Sequence, residues 1–304
     1  MTGVPAADAP GTHPASHAAA RVADWVTLTK PRLNLLVLIT TLAGLYLAEP
    51  TGVSSALLFH TLVGSALVAG GAAALNQVFE RTTDALMRRT SGRPLPAGRL
   101  GAAEGSVLGA ALSLLGLAEL AYFTNATAAA VAGVTLASYV FLYTPLKTRT
   151  SLATLIGAVP GALPPVIGWT AATGVISEPA LVLFGIVFLW QMPHFLAIAW
   201  MYRDDYARAG IPLLPVLEPD GRRTGYQAML YASALWPVSL LPAVVGLAGL
   251  PYSAIATVLG FLFIGLSVQF AQERSHATAR RLFLFSILYL TLLLGALVAN
   301  RLWM

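Results

Sequence analysis

Apolar residues run along this chain in long uncharged blocks, and short polar stretches separate them. Each block approaches the ~20 residues that a helix needs to cross a bilayer, and none shows the alternation of a half-buried strand. The pattern predicts nine spanning helices, at 33–49, 57–80, 103–123, 126–146, 152–172, 179–201, 226–248, 252–271 and 281–300. Before them, Ala23 to Thr29 reads as an amphipathic lead-in, and Lys30-Pro31-Arg32 marks the membrane surface. Residues 1–22 carry no periodic apolar pattern and are expected to be a disordered tail, with 23–304 forming one intramembrane domain. No basic segment leads an apolar core at the start, so the tail does not read as a signal peptide. The expected fold is all-α and polytopic, nine transmembrane helices around a central cavity.

Charge sharpens this picture. The chain is 57% hydrophobic and only 10% charged, which a soluble core of this length does not need. Apart from Arg301, its basic residues fall in the connections after the second, fourth, sixth and eighth helices and before the first. The connections after helices one, three, five and seven hold no Lys or Arg. This alternation puts the N-terminus on the cytoplasmic side by the positive-inside rule. The net charge of +5 is therefore a topology signal, and no nucleic-acid partner is expected. The chain has no cysteine, which excludes disulfides and thiolate metal sites.

Two polar clusters interrupt the pattern on that side. In the first, Asn76, Glu80 and Asp84 are spaced i, i+4, i+8, so a helix lines their oxygens along one face. Arg88, Arg89, Arg93 and Arg99 follow, and Pro94 and Pro96 are expected to end the helix. Four helices later, Trp190-Gln191-Met192-Pro193-His194-Phe195 leads to Asp204, Asp205 and Arg208. Pro193 removes a backbone donor within that helix and should kink it.

Carboxylates beside guanidinium groups suit a metal-bound diphosphate. Mg²⁺ takes one or two carboxylates plus phosphate oxygens, and Asn76, Glu80, Asp84 and Asp205 are the candidate ligands. Arg89, Arg93 and Arg208 would clamp the remaining phosphate oxygens. An apolar cavity between the helices would take a hydrocarbon tail. Loss of diphosphate from an allylic carbon leaves a cation, which the faces of Tyr139, Tyr143 or Trp200 would stabilise. His194 is an ionisable group at membrane depth and hence a functional candidate, although a plain helix–helix hydrogen bond accounts for it equally well. Glu119, near the far end of helix three, receives no role.

At these residues the chain resembles the UbiA-type intramembrane prenyltransferases, whose mark is Asn-x₃-Asp/Glu-x₃-Asp on helix two, met here by Asn76, Glu80 and Asp84. Tyr143-Thr144-Pro145-Leu146-Lys147, Gly161 to Trp169 and the stretch from Trp190 to Gly210 are similar to its haem-farnesylating branch. One departure is clear: many members repeat Asp-x₃-Asp in the second cluster, where this chain has Arg208 four residues after Asp204 and Ala209 four after Asp205.

The resemblance implies farnesyl diphosphate and haem B as substrates and Mg²⁺ as cofactor. It implies Asn76, Glu80, Asp84 and Asp205 as catalytic residues, the first three as metal ligands. Arg89, Arg93, Lys147 and Arg208 would bind diphosphate, and His194 would bind haem. It also implies a bacterial inner (cytoplasmic) membrane or a mitochondrial inner membrane, and the Ala- and Gly-rich chain, with no Arg-rich transit peptide, favours the bacterial one. The loop charges put the active site toward the cytoplasm, and the next haem-modifying enzyme, haem A synthase, is an expected partner. Two alternatives stand beside this reading: a family member acting on a quinone precursor or chlorophyll-type ring, and a transporter using the same polar residues as an ion path.

Overall fold

The computed structural model describes residues 14–49 and 52–302, and among these nine helices are long and apolar enough to cross a membrane. They are Pro31–Ala48, Ser55–Leu86, Ala102–Phe123, Ala126–Leu146, Ala153–Thr173, Glu178–Met201, Arg222–Val244, Leu250–Glu273 and His276–Arg301, called here spans one to nine. A further helix, Pro14–Leu28, precedes them. Of the tail expected through residue 22, residues 1–13 lie outside the described residues, and 14–22 belong to this helix.

Lipid tails are as apolar as leucine, so the spans associate through close packing rather than by escaping water. The sequence supplies small residues where that packing is tightest. Spans two and three form a long pair in which a Cβ on Gly71 would lie 2.3 Å from Ser113 Oγ and 2.6 Å from the Gly109 carbonyl oxygen. Span one crosses the second half of span five nearly backbone on backbone. A Cβ on Gly168 would sit 1.8 Å from the Thr41 carbonyl oxygen. Span six packs against spans seven and nine, and span seven against span eight. Buried side chains from most spans, among them Val68, Ile186, Leu235, Phe263 and Leu293, meet in one core.

Three spans are irregular, and each irregularity falls near the cavity. Span four passes through a π-helical turn, Ser138–Tyr143, before Thr144–Leu146. Span five breaks at Leu163, because Pro164 and Pro165 lack the N–H groups that would continue Ala153–Ala162. Span six stays helical through Pro193 and ends at Met201. There Tyr202 leaves the helical region (φ −112°, ψ 21°) and a separate six-residue helix, Arg203–Arg208, begins. The helix thus gives way at Tyr202, nine residues beyond Pro193.

Span two also ends differently from expectation. Its helix stops at Leu86, where Met87 adopts an extended backbone (φ −98°, ψ 129°). Pro94 and Pro96 lie well past that end, in a loop of successive turns. The helix nevertheless runs beyond residue 80, which keeps Asp84 in register with Asn76 and Glu80.

Candidate functional site

Helical periodicity does bring Asn76, Glu80 and Asp84 onto one buried face of span two. Each then meets a cation from elsewhere in the chain. Lys30 Nζ donates to Asn76 Oδ1 at 3.0 Å. Lys147 Nζ donates to Glu80 Oε1 at 2.9 Å. Arg93 Nη1 donates to Asp84 Oδ2 at 2.6 Å.

Local structure explains how these cations arrive. The loop after span two folds back because the Thr90 hydroxyl donates to the Asp84 carbonyl at 2.8 Å and the Arg93 N–H to the Thr90 carbonyl at 3.0 Å. That turn aims Arg93 at the Asp84 carboxylate. Beyond the π-helical turn of span four, Thr144 accepts from Asn76 Nδ2 at 3.1 Å, and Lys147 follows one helical turn later. Short π-helical segments recur at functional sites, and this one stacks Tyr139 and Tyr143 with ring centres 5.5 Å apart.

Lys30 is the residue that sequence reasoning missed, having read it as a marker of the membrane surface. It holds a left-handed backbone (φ 48°, ψ 56°), uncommon for a residue with a side chain. Pro31 cannot supply an N–H at the start of span one, so the chain can turn sharply there. The helix before it is tied down by Gln77 Nε2–H donating to the Leu28 carbonyl at 2.7 Å and by a fork of hydrogen bonds from Arg99 to Asp24. Burial, and after it the nearby Arg93, pull the Lys30 ammonium down to about 8. Burial also works against the charge of Lys147, but Tyr143 and Glu80 outweigh it and hold that ammonium above the ordinary lysine range.

A cavity of about 410 Å³ opens beside this cluster, within the range of small-molecule sites. Lys30, Asn34, Tyr139, Tyr143 and Lys147 line its polar part, while Val37, Val68 and Leu290 are among its apolar walls. The lysines face the cavity. Asn76, Glu80 and Asp84 stand behind them and do not line it. His194 lines the same cavity, with Nδ1 2.7 Å from Ser286 Oγ on span nine, the helix–helix bond that the sequence left open. Trp200 does not line it, but packs edge-on against Phe270 with ring centres 6.1 Å apart.

The second cluster is less embedded. Asp205 is buried and pairs with Arg208, whereas Asp204 is 86% exposed. Among the described residues no hydrogen bond or ion pair joins Asp204, Asp205 or Arg208 to the Asn76–Glu80–Asp84 face. Arg89 spans the gap, lying over the rings of Tyr202 and Tyr206 at 5.1 and 5.9 Å. Outside the site, Glu119 gains a partner in His60 at 2.7 Å, which pins spans two and three together.

Among the described residues no three Asp, Glu, His or Cys side chains converge as a metal site. One observation nonetheless fits a hard cation: Asp84 Oδ1 is fully buried and has no hydrogen-bond partner. An unpaired carboxylate oxygen beside Asn76 and Glu80 provides the few oxygen donors that Mg²⁺ uses when substrate phosphates complete its shell.

Among the described residues, nine spans packed beside a largely apolar cavity that two lysines face suit an amphiphile with an anionic head. The sequence profile of the UbiA prenyltransferase family matches residues 37–293, and the chain belongs to this family. A protein of Solibacter usitatus (strain Ellin6076) named protoheme IX farnesyltransferase is 47% identical over 287 residues, covering 91% of this chain and 98% of the relative. The fold is shared with a digeranylgeranylglyceryl phosphate synthase at TM-score 0.79 and 18% identity, over 94% of this chain and all of that one. It is shared also with a UbiA homologue from Archaeoglobus fulgidus bound to GPP and Mg²⁺, at TM-score 0.64 and 15% identity, over 91% and 99%.

Proposed function

We propose that this protein transfers the farnesyl group of farnesyl diphosphate to a vinyl group of haem B, with addition of water, giving haem O and diphosphate. The observation that carries the reading is the pair of lysines, Lys30 and Lys147, facing an otherwise largely apolar cavity. A prenyl diphosphate has the matching shape, an anionic head on an apolar tail. The acceptor is inferred from the name of the 47% identical relative.

The chemistry follows from the residues. The C1–oxygen bond of the farnesyl diphosphate breaks and its electron pair leaves with the diphosphate. Lys30, Lys147 and Arg93 stabilise the charge that develops there, and this favours the transition state over the bound substrate. The faces of Tyr139 and Tyr143 lie beside the allylic carbon as it becomes positive. That carbon bonds to the outer vinyl carbon of haem, water adds to the inner one, and a proton is released. Asn76, Glu80 and Asp84 are the residues that would hold Mg²⁺, consistent with the Asp84 oxygen left unpartnered and with the Mg²⁺ in the Archaeoglobus homologue. When bound, the ion would neutralise further charge on the leaving group. Asp205 with Arg208, and Arg89 through Tyr206, approach from the opposite side of the head group, and His194 contacts the macrocycle.

The same reading places the protein in the bacterial inner membrane with the lysines toward the cytoplasm, as the loop charges indicate. Haem A synthase is the natural recipient of the product. The test is chromatography with mass spectrometry on purified protein given haem B, farnesyl diphosphate and Mg²⁺. Haem O and one diphosphate per turnover are expected. A prenylated quinone precursor formed in place of haem O would refute the acceptor.

A further inference from the structure

Deep in the cavity wall, the His194 ring stacks on Trp190 with centres 5.1 Å apart and planes at 27°. It leans on Phe283 at 4.9 Å and meets Phe195 edge-on at 5.6 Å. Its polar protein partner is Ser286, whose Oγ lies 2.7 Å from Nδ1. Ser286 is fully buried, and its hydroxyl also lies 2.6 Å from the Phe283 carbonyl oxygen. A carbonyl only accepts, and serine has a single proton to give. Both contacts are hydrogen bonds at once when the serine proton goes to Phe283 and Ser286 Oγ accepts from Nδ1–H of His194. In a neutral imidazole the lone pair is then on Nε2. Nε2 has no hydrogen-bond partner among the described residues, and it is not among the buried atoms without one. His194 lines the cavity, and Nε2 is the ring nitrogen left free to face it. Trp190 Nε1–H donates to the Ser286 backbone carbonyl at 2.5 Å, which fixes the turn of span nine on which the imidazole rests.

We propose that Ser286 is a positioning residue that holds His194 in its Nδ1–H tautomer, so that Nε2 presents a lone pair to the iron of the haem acceptor. The inference rests on the reading above that haem is the acceptor. Histidines that ligate metals are oriented in this way, by a hydrogen bond from the ring nitrogen that does not bind. The acceptor here is a neutral hydroxyl. A carboxylate would make the ring more basic and the iron bond stronger. The weaker ligand suits a haem that arrives as substrate and must leave as product. Ligation is a coordination bond only, with no change in iron oxidation state and no proton transferred.

Solution nitrogen spectra of ¹⁵N-histidine-labelled protein in nanodiscs test the tautomer without haem, since protonated and bare ring nitrogens are well separated in shift. The His194 signals are assigned by their loss in His194→Gln. The expected wild-type pattern is protonated Nδ1 and bare Nε2. Ser286→Ala should populate the Nε2–H form that free histidine favours, and Ser286→Thr, which keeps the hydroxyl, should retain the wild-type pattern. Adding ferrous haem then tests ligation. The iron–histidine stretch in the resonance Raman spectrum should appear in the wild type and Ser286→Thr, shift in Ser286→Ala with about tenfold weaker haem binding, and vanish in His194→Gln. A protonated Nε2 in the wild type, or a tautomer unmoved by Ser286→Ala, overturns the role of Ser286. A stretch that survives His194→Gln overturns iron ligation. Wild-type protein that shows the expected tautomers but binds no haem refutes the acceptor reading, and ligation with it, while the role of Ser286 in the tautomer stands.

Discussion

The two polar clusters, four spans apart on one side of the bundle, look equivalent in sequence and are built differently in space. On span two every candidate ligand is buried and bonded to a cation, and those cations come from three separate segments. After span six the helix has already ended, Asp204 points to solvent, and Asp205 is paired with its own neighbour Arg208. A buried polar network gains strength from the low dielectric around it and is costly to leave half satisfied. A local pair between neighbours on one short helix, with its arginine partly exposed, contributes less. The difference supports the reading of the span-two cluster as the preorganised anion site proposed above, with the cluster after span six as a supplement to it. The absence of a second Asp-x₃-Asp in this chain agrees with that division of labour.

This contrast can be broken by mutation. The largest effect is expected from Asp84→Asn, which keeps the shape but removes the charge that holds Arg93 and the oxygen free for a metal. Turnover should fall by on the order of 10²-fold or more, as for loss of a preorganised electrostatic group. Steady-state rates beside a folded-protein assay measure it, and near-normal turnover would remove Asp84 from the site.

Lys30→Met and Lys147→Met should come next. Each deletes a cation facing the cavity while keeping much of the side-chain bulk. A loss of about tenfold or more in kcat/KM for farnesyl diphosphate is expected, a cost of at least ~1.4 kcal/mol, with the haem dependence little changed. Arg93→Lys should be impaired more mildly, because lysine keeps the charge but loses the planar fork that reaches Asp84. At the small end, Asp204→Ala should behave as wild type in the same rate assays. If Asp204→Ala were as damaging as Asp84→Asn, the clusters would be equals after all.

Much of this site was legible before any coordinates. Hydropathy alone gives nine spans, because uncharged blocks of that length have few other uses. The i, i+4, i+8 spacing puts Asn76, Glu80 and Asp84 on one face, because helix geometry leaves no choice. Family resemblance implies Lys147 as a diphosphate ligand, and the structure brings it to Glu80. What stayed hidden depends on backbone turns without a compositional signature. Lys30 enters the site only because its own backbone is left-handed ahead of Pro31. The π-helical turn that presents Tyr139 and Tyr143 has no sequence mark. The helix end at Tyr202, which no proline marks, separates Asp205 from the His194 helix. Ser286 sits in an ordinary apolar run, and only its contact across to His194 gives it meaning.

The account's central claim is that the span-two cluster forms the diphosphate site. The most direct test is calorimetric titration of farnesyl thiolodiphosphate, a poorly ionising analogue, into wild type, Asp84→Asn, Lys147→Met and Asp204→Ala with Mg²⁺ present. The account predicts tight binding by the wild type and Asp204→Ala, and losses of about tenfold or more in the other two. Equal affinity across all four proteins, or a loss confined to Asp204→Ala, would contradict it.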